Sequence, residues 1–368
     1  MKYDFAVIGA GIAGASLAAE LAPHGSVVLL EAEAHAGYHS TSRSAALWHE
    51  TLGGPLIQPL TTASFPALND GGFLKARGSL SVADVEHLDL LDQMAGDFAG
   101  TVALQPMTRE EIRVRVPRAR PVLAAGLLEP SCADIDVAAL HAAVLGGFHR
   151  AGGILETDFR VDAVTTWAKG WRIAAGARSI EAEIVVNAAG AWADVIAGLA
   201  GARPLSLMPC RRTIAQVRVD GSDVPADLPM VTDIAGSYYF KAEGPDRLWL
   251  CPQDETLVEP GDAAPEEIDV AIAIDRFERV TEWKVLAVER KWAGLRTFAP
   301  DRLPIYGFDR SVPGLFWCAG QGGVGIQTSP AAARLCAKLL LGVPSEIDPT
   351  PFSPRRSAIS IGVGTETG

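Results

Sequence analysis

The stretch from Asp4 to Glu31, DFAVIGAGIAGASLAAELAPHGSVVLLE, constrains the fold more than any other in the chain. Phe5 to Ile8 is an apolar run of the length expected for a buried parallel strand. Gly9, Gly11 and Gly14 follow at G-x-G-x-x-G spacing, Ala15 to Leu21 reads as a helix stopped at Gly25, and Val27 to Leu30 is a second apolar strand ending at Glu31. Gly9 lets the chain turn sharply, Gly11 lets the backbone approach a pyrophosphate, and Gly14 lets the helix pack close to the strand. The helix N-terminus presents N–H groups and a positive dipole end to phosphates. Glu31, 17 residues past Gly14, is placed to accept hydrogen bonds from a ribose. An acid there favours an unphosphorylated ribose, and so FAD or NAD over NADP.

At 368 residues the chain is long for one domain, so two are expected. With 48% hydrophobic residues it can bury a sizeable core. A net charge of −12, from 44 acidic and 32 basic residues, speaks against nucleic acid and anionic membrane surfaces as partners. The five cysteines, Cys132, Cys210, Cys251, Cys318 and Cys336, are widely spaced with no C-x-x-C pair. They read as buried thiols, with neither a disulfide framework nor a metal site. The first residues run straight into a strand, and the apolar stretch Val312 to Ala333 is broken by Gly, Gln, Thr, Ser and Pro. Neither reads as a signal peptide or a membrane span, and the expectation is a soluble, cytoplasmic protein.

Further along, Gly37 to Ala45 is dense in hydroxyl residues and carries Arg43, a composition suited to a phosphate or a ring edge. Ser79 to Val82 reads as a strand, Val85 to Phe98 as an amphipathic helix, and Thr108 with Glu111 as a capping box. Asp136 caps a helix reaching about Ala151. Arg160 to Thr166, Trp171 to Ala174 and Arg178 to Glu181 read as antiparallel strands, and Glu183 to Asn187 as a buried one. From Arg211 the chain turns β-rich. Asp254 to Glu267 is acidic and reads as a surface loop. Leu315 to Ala319 is an apolar strand, followed by a glycine-rich loop and a helix to about Leu341. Pro351 to Gly368 reads as loosely held. Nucleotide-type βα units therefore occur at the start, middle and end, with β-rich insertions between them.

Three later stretches carry a family resemblance. Val185-Val-Asn-Ala-Ala-Gly-Ala-Trp192, Trp292-Ala-Gly-Leu-Arg296 with Pro300, Asp301 and Pro304, and Gly320-Gln-Gly-Gly-Val-Gly-Ile-Gln-Thr-Ser329 resemble flavin-contacting segments of the FAD-dependent D-amino-acid oxidase, glycine oxidase and sarcosine oxidase superfamily. The resemblance runs from residue 1 to about 345, nearest to bacterial D-amino-acid dehydrogenases of the D-arginine type. It implies an α/β two-domain fold: a Rossmann-like FAD-binding domain (1–78, 130–208 and 300–368) with an interleaved mixed-sheet substrate domain (79–129 and 209–299). It implies FAD as cofactor, held by Gly9, Gly11, Ile12, Ala13 and Gly14, by Glu31 and Ala32, and by Ser40, Thr41, Arg43, Ser44, Ala45 and Ala46. Val161, Ala188, Gly190, Trp192 and Arg296 complete that set, with Gly322, Gly323, Val324, Gly325, Ile326, Gln327 and Thr328. Relatives that attach flavin covalently use a cysteine shortly before the Pro-Asp pair. This chain has none between Cys251 and Cys318, so FAD is expected to be noncovalent.

The resemblance also implies the chemistry: hydride passes from a substrate Cα to flavin N5, and the imine hydrolyses. Arg212 and Arg296 are the candidates for the substrate carboxylate, since a guanidinium grips a carboxylate in bidentate fashion. Tyr239 matches the tyrosine that assists them, and the Gly323 carbonyl faces the amine. Met230 and Thr232 are candidates for the pocket wall. Leu47, Leu52 and Ser79 stand where the D-arginine enzymes have polar or acidic residues, so a cationic side chain would lose its partner at some cost. The expected substrate is a neutral, hydrophobic amino acid, with an N-substituted glycine as the alternative and O₂ or a quinone as electron acceptor. His49 is a candidate base or a packed histidine. A flavin-binding module without turnover is the reading from another class.

Overall fold

The computed structural model describes residues 2–360. Its first sheet is built on strand Lys2–Ile8, which runs parallel to Val27–Leu30 on one side and to Arg178–Asn187 on the other. The register is flush at the carboxyl ends: Ile8 pairs with both Leu30 and Asn187, and Asn187 with Trp317 of the next parallel strand, Leu315–Ala319. All four strands therefore stop at one edge, where an open α/β sheet binds its ligand.

Alternation decides which side chain meets which cover. Val7 and Leu29 point to one face and pack with Leu17, Leu21, Phe148, Leu335 and Cys336, which come from helices Ile12–Leu21, Val137–Arg150 and Ser329–Leu341. Ala6, Ile8, Val28 and Leu30 point to the other, against Val164, Trp171, Ile173 and Ile196. Asp136 caps its helix, accepting from Ala139 N at 2.9 Å, as its position in the sequence suggests.

The second sheet is mixed. Met208–Val219 pairs antiparallel with Val285–Phe298 over most of its length, and Ser79–Ala83 is joined parallel to Met230–Asp233. One face carries Ala215, Val217, Phe240 and Leu250 against Phe277 of helix Glu267–Val280 and against Trp283. The opposite face carries Ile214, Met230, Tyr239 and Cys251, which pack on Ala45 from the first sheet's loop. A small third sheet of Leu47–Trp48, Leu74–Ala76 and Ala133–Ile135 joins the two.

Several elements differ from the sequence reading. Arg178–Asn187 is one continuous strand, because Trp171 pairs with Ala182 across the point where a break was expected. The helix expected over Val85 to Phe98 covers only Leu88–Asp97. Ile305–Phe308, unmarked in the sequence, pairs with Leu315–Ala319. The segment beyond Pro351 is packed as far as it is described: Phe352 is buried, and Arg356 holds both carboxylate oxygens of Asp301 at 2.6 and 2.8 Å. Residues 361–368 of that expectation lie outside the described residues.

Candidate active site

At the carboxyl edge of the first sheet, a cavity of about 390 Å³ runs from the glycine turn to the second sheet. Gly9 holds φ +102°, and a Cβ there would fall 2.4 Å from the Ala188 carbonyl oxygen. A Cβ on Gly14 would meet Gly9 O at 1.9 Å, whereas one on Gly11 meets only Thr41 Oγ1, at 3.1 Å. Gly9 and Gly14 therefore build the turn, and Gly11 keeps its outer surface bare. Gly11 is the N-cap of the helix, Ile12 N donates to Thr41 Oγ1 at 3.0 Å, and Gly11, Ile12 and Ala13 of this first turn line the cavity. Glu31 is buried on the cavity wall, accepting from Ala10 N and from Glu33 N at 3.0 Å each. These fixed bonds aim its carboxylate. A bare glycine backbone, a helix N-terminus and an oriented acid at one sheet edge fit a dinucleotide.

The rest of the expected cofactor set divides. Ile12, Ala13, Ala32, Ser40, Thr41, Arg43, Ser44, Ala45, Val161, Ala188, Gly190 and Trp192 line the cavity, as do Gly322, Gly323, Gly325 and Ile326. Gly14 and Ala46 stand behind the wall. Val324 packs in the first core, Gln327 is buried against Thr61 (3.0 Å) and Leu52, and Thr328 bonds back to Val324 O at 2.8 Å. Those side chains shape the loop and do not face the cavity. Arg43 lines the wall but spends Nη1 on the carbonyls of Ala263 and Ala293, tying the two sheets together.

At the second-sheet end stand Arg212, Arg296 and Tyr239. Arg212 pairs in register with Gly294, and Arg296 with Cys210. The two arginines are thus diagonal neighbours on one face of adjacent strands. Arg212 is buried, with Nε and Nη1 lacking a hydrogen-bond partner among the described residues. Arg296 likewise has none there, and burial, then the Arg212 charge, draws its pKa below the ordinary value. It stays cationic. The Tyr239 hydroxyl is buried with only the Cys251 thiol beside it, and burial pushes its pKa up, so it stays a neutral phenol able to donate. Two guanidiniums and a neutral phenol thus line one end of the cavity, a donor set of the kind that suits an anion. Its flanks are apolar: Ile214 and Ala45 line the cavity and Met230 packs beside Tyr239.

The remaining candidates lie off the wall. Leu47 and Met230 belong to the apolar cluster beneath Tyr239, and Leu52 packs on the first core. Ser79 is buried, with no partner for its hydroxyl, and Thr232 meets Gln253 and the Tyr238 carbonyl. His49 is buried against Glu129 (3.2 Å) and Thr51 (3.0 Å). That placement makes it a packed histidine rather than a base facing the cavity.

The sequence reading overlooked Glu255. It sits in the segment read as a surface loop, yet its Oε1 accepts from Arg212 Nη2 at 2.9 Å. Burial raises its pKa, but hydrogen bonds and charge from Arg302, with Arg212 and Arg296 adding to them, hold it below the usual value. The register of Arg212 against that loop was not visible in composition. The neighbouring Arg211 points to the other face and is held by Glu266 and Asp269.

Comparison with known proteins identifies the family. The chain is 26% identical over 389 residues to glycine oxidase of Geobacillus kaustophilus, spanning 98% of this chain and 99% of that one. A crystal structure of glycine oxidase from that organism superposes with a TM-score of 0.84 at 25% identity, covering 96% and 99% of the two chains. Human mitochondrial dimethylglycine dehydrogenase is 25% identical over 406 residues, covering 96% of this chain but 44% of its own. FAD-dependent oxidoreductase domain-containing protein 1 of Xenopus laevis is 28% identical over 180 residues, covering 45% of this chain and 36% of its own. The chain thus spans less than half the length of these last two relatives. The family model described as DAO, FAD dependent oxidoreductase, matches residues 4–339, and the chain belongs to that family.

Proposed function

We propose that this protein oxidises the C–N bond of a neutral amine-bearing carboxylate, with Arg296 and Arg212 gripping the carboxylate and Tyr239 donating a further hydrogen bond. The observation that carries the reading is the opening of one cavity onto both the glycine cradle and two guanidiniums, with Arg212 Nε and Nη1 lacking a partner among the described residues. Bound FAD supplies the two-electron acceptor for a hydride leaving the substrate Cα. The protein's part is to fix the carboxylate, so that the Cα–H is held in one orientation, and to exclude water. With His49 committed to Glu129, the substrate amine enters already neutral. The apolar flank of Ile214 and Ala45 suits an uncharged side chain, such as that of a hydrophobic D-amino acid.

On this reading the first sheet and its helices form the FAD domain (1–78, 130–208 and 300–368), and the second sheet the substrate domain (79–129 and 209–299). FAD is held noncovalently, since no cysteine among the described residues lines the cavity.

A second reading is supported by the similarity to proteins named glycine oxidase and dimethylglycine dehydrogenase. The substrate is then an N-substituted glycine, released as glyoxylate and a free amine. Anaerobic mixing of the holoenzyme with D-leucine, D-phenylalanine, sarcosine and N-ethylglycine tests both, reading loss of flavin absorbance. An oxo acid with ammonia supports the first, and glyoxylate with an alkylamine the second. Reduction by D-arginine far above all of these overturns the neutral pocket. Reduction by no amino acid overturns the proposal altogether. Reoxidation in air against reoxidation by a quinone then identifies the electron acceptor.

A further inference from the structure

Arg212 already carries a carboxylate. Its Nη2 lies 2.9 Å from Glu255 Oε1, and Glu255 is gripped from its other side by Arg302, at 2.7 and 3.0 Å. The Arg212 side chain is 6% exposed, whereas Arg302 is 55% exposed and largely screened by solvent. Glu255 is itself 37% exposed, so its carboxylate bridges the buried Arg212 to the solvent-side Arg302. That leaves Nη2 of Arg212 occupied, and its Nε and Nη1 without a hydrogen-bond partner among the described residues.

A substrate with a single carboxylate needs only those free donors. It can share Arg296 with the unpartnered Nε and Nη1 of Arg212, while Nη2 stays on Glu255. A substrate with a second carboxylate would bring it to a guanidinium that already has one. Two carboxylates brought to one guanidinium repel each other. We propose that Glu255 is a specificity-determining residue that restricts this site to monocarboxylate amines, by filling the position on Arg212 that a second substrate carboxylate would take. This rests on Arg212 and Arg296 being the carboxylate anchor.

The test compares substrates differing by one carboxylate, D-glutamine with D-glutamate and sarcosine with iminodiacetate, on holoenzyme of the wild type, Glu255→Gln and Glu255→Asp. In whichever pair the wild type accepts, Glu255→Gln raises the dicarboxylate-to-monocarboxylate ratio of kcat/KM at least tenfold, mainly through KM, and Glu255→Asp keeps the wild-type ratio. An unchanged ratio in Glu255→Gln, with both substrates falling together, overturns the assignment and leaves Glu255 as a prop for Arg212. A second measurement needs no variant: acetate and malonate are titrated into the wild-type holoenzyme and read by perturbation of the flavin spectrum. Acetate binds more tightly than malonate if the assignment holds, and malonate equal or tighter overturns it. Failure of every amine carboxylate to reduce wild-type flavin is a different result, and overturns the underlying reading of the site.

Discussion

A Cβ placed on Gly14 would lie 1.9 Å from the carbonyl oxygen of Gly9, closer than any real contact. The first helix can pack on the first strand only because this carbon is missing. Gly14→Ala must push the helix off the sheet or break the turn, at a cost of about 3 kcal/mol or more. Gly11→Ala behaves differently, since its Cβ meets only a side-chain oxygen at 3.1 Å. It is expected to melt close to the wild type as apoprotein, yet to bind FAD at least tenfold more weakly. Thermal melts with and without added FAD separate the two. Equal losses of apoprotein stability would refute the division of labour.

Arg296 makes no hydrogen bond to another described residue, and the Tyr239 hydroxyl has only the weakly bonding Cys251 thiol beside it, so their removal leaves no strong protein donor or acceptor unpaired. Arg296→Ala should lower kcat/KM about 100-fold, the loss of charged hydrogen bonds together worth about 3 kcal/mol. Arg296→Lys should recover part of this, keeping the charge without the fork. Tyr239→Phe should melt no lower than the wild type, because a buried hydroxyl without a strong partner contributes nothing to the fold, while KM rises about tenfold. Steady-state kinetics beside melting curves check all three, and a destabilised Tyr239→Phe would show that the hydroxyl has an internal role.

The sequence made the first sheet legible because its signals are local. A glycine triplet, two apolar strands and Glu31 lie within one short run, and chain geometry does the rest. The candidate anion site was legible only as residue types: that Arg212 and Arg296 share a face depends on Cys210 standing opposite Arg296, a long-range register that no local pattern encodes. Glu255 was hidden for the same reason. Its acidic neighbourhood reads as a solvated loop, and only the strand pairing of Arg211 with Thr256 draws it against Arg212. Pro351 to Arg356 has a polar composition that argues for looseness, but Phe352 and the Arg356 clamp on Asp301 hold it down. Gln327 and Thr328 sit in a loop of the right composition, and their side chains turn inward because the helix they precede needs its entry fixed.

Glu129 gives the fold a defined acid limb. It is buried, which by itself raises its pKa, but the adjacent His49, the Thr51 hydroxyl and Glu50 N together pull it below the usual carboxylate value. A carboxylate depressed in the folded state adds stability above its unfolded pKa, near 4.5. That stability is lost as pH falls through the lower, folded value. Between pH 7 and 3, Glu129→Gln should therefore show a flatter fall in melting temperature than the wild type. At pH 7 it should be less stable by about 3 kcal/mol, the cost of breaking a buried pair. Parallel curves for the two proteins across that range would rule out a role for Glu129 in the acid limb.

The flavin should come away from the chain without breaking a bond. Covalent attachment through cysteine would need a thiolate beside the ring. Yet Gly294 and Leu295 line the cavity at that place, and Cys210, though paired with Arg296 in the sheet, is not on the cavity wall. Burial also raises the Cys210 pKa, which lowers the fraction of reactive thiolate. Acid precipitation of the yellow holoenzyme is expected to give a colourless pellet and a supernatant containing FAD in about one-to-one ratio to protein. Cys210→Ser should leave that outcome and the flavin content unchanged. A yellow pellet that turns colourless in Cys210→Ser would instead mean that the sheet moves far enough to bring this sulfur onto the ring.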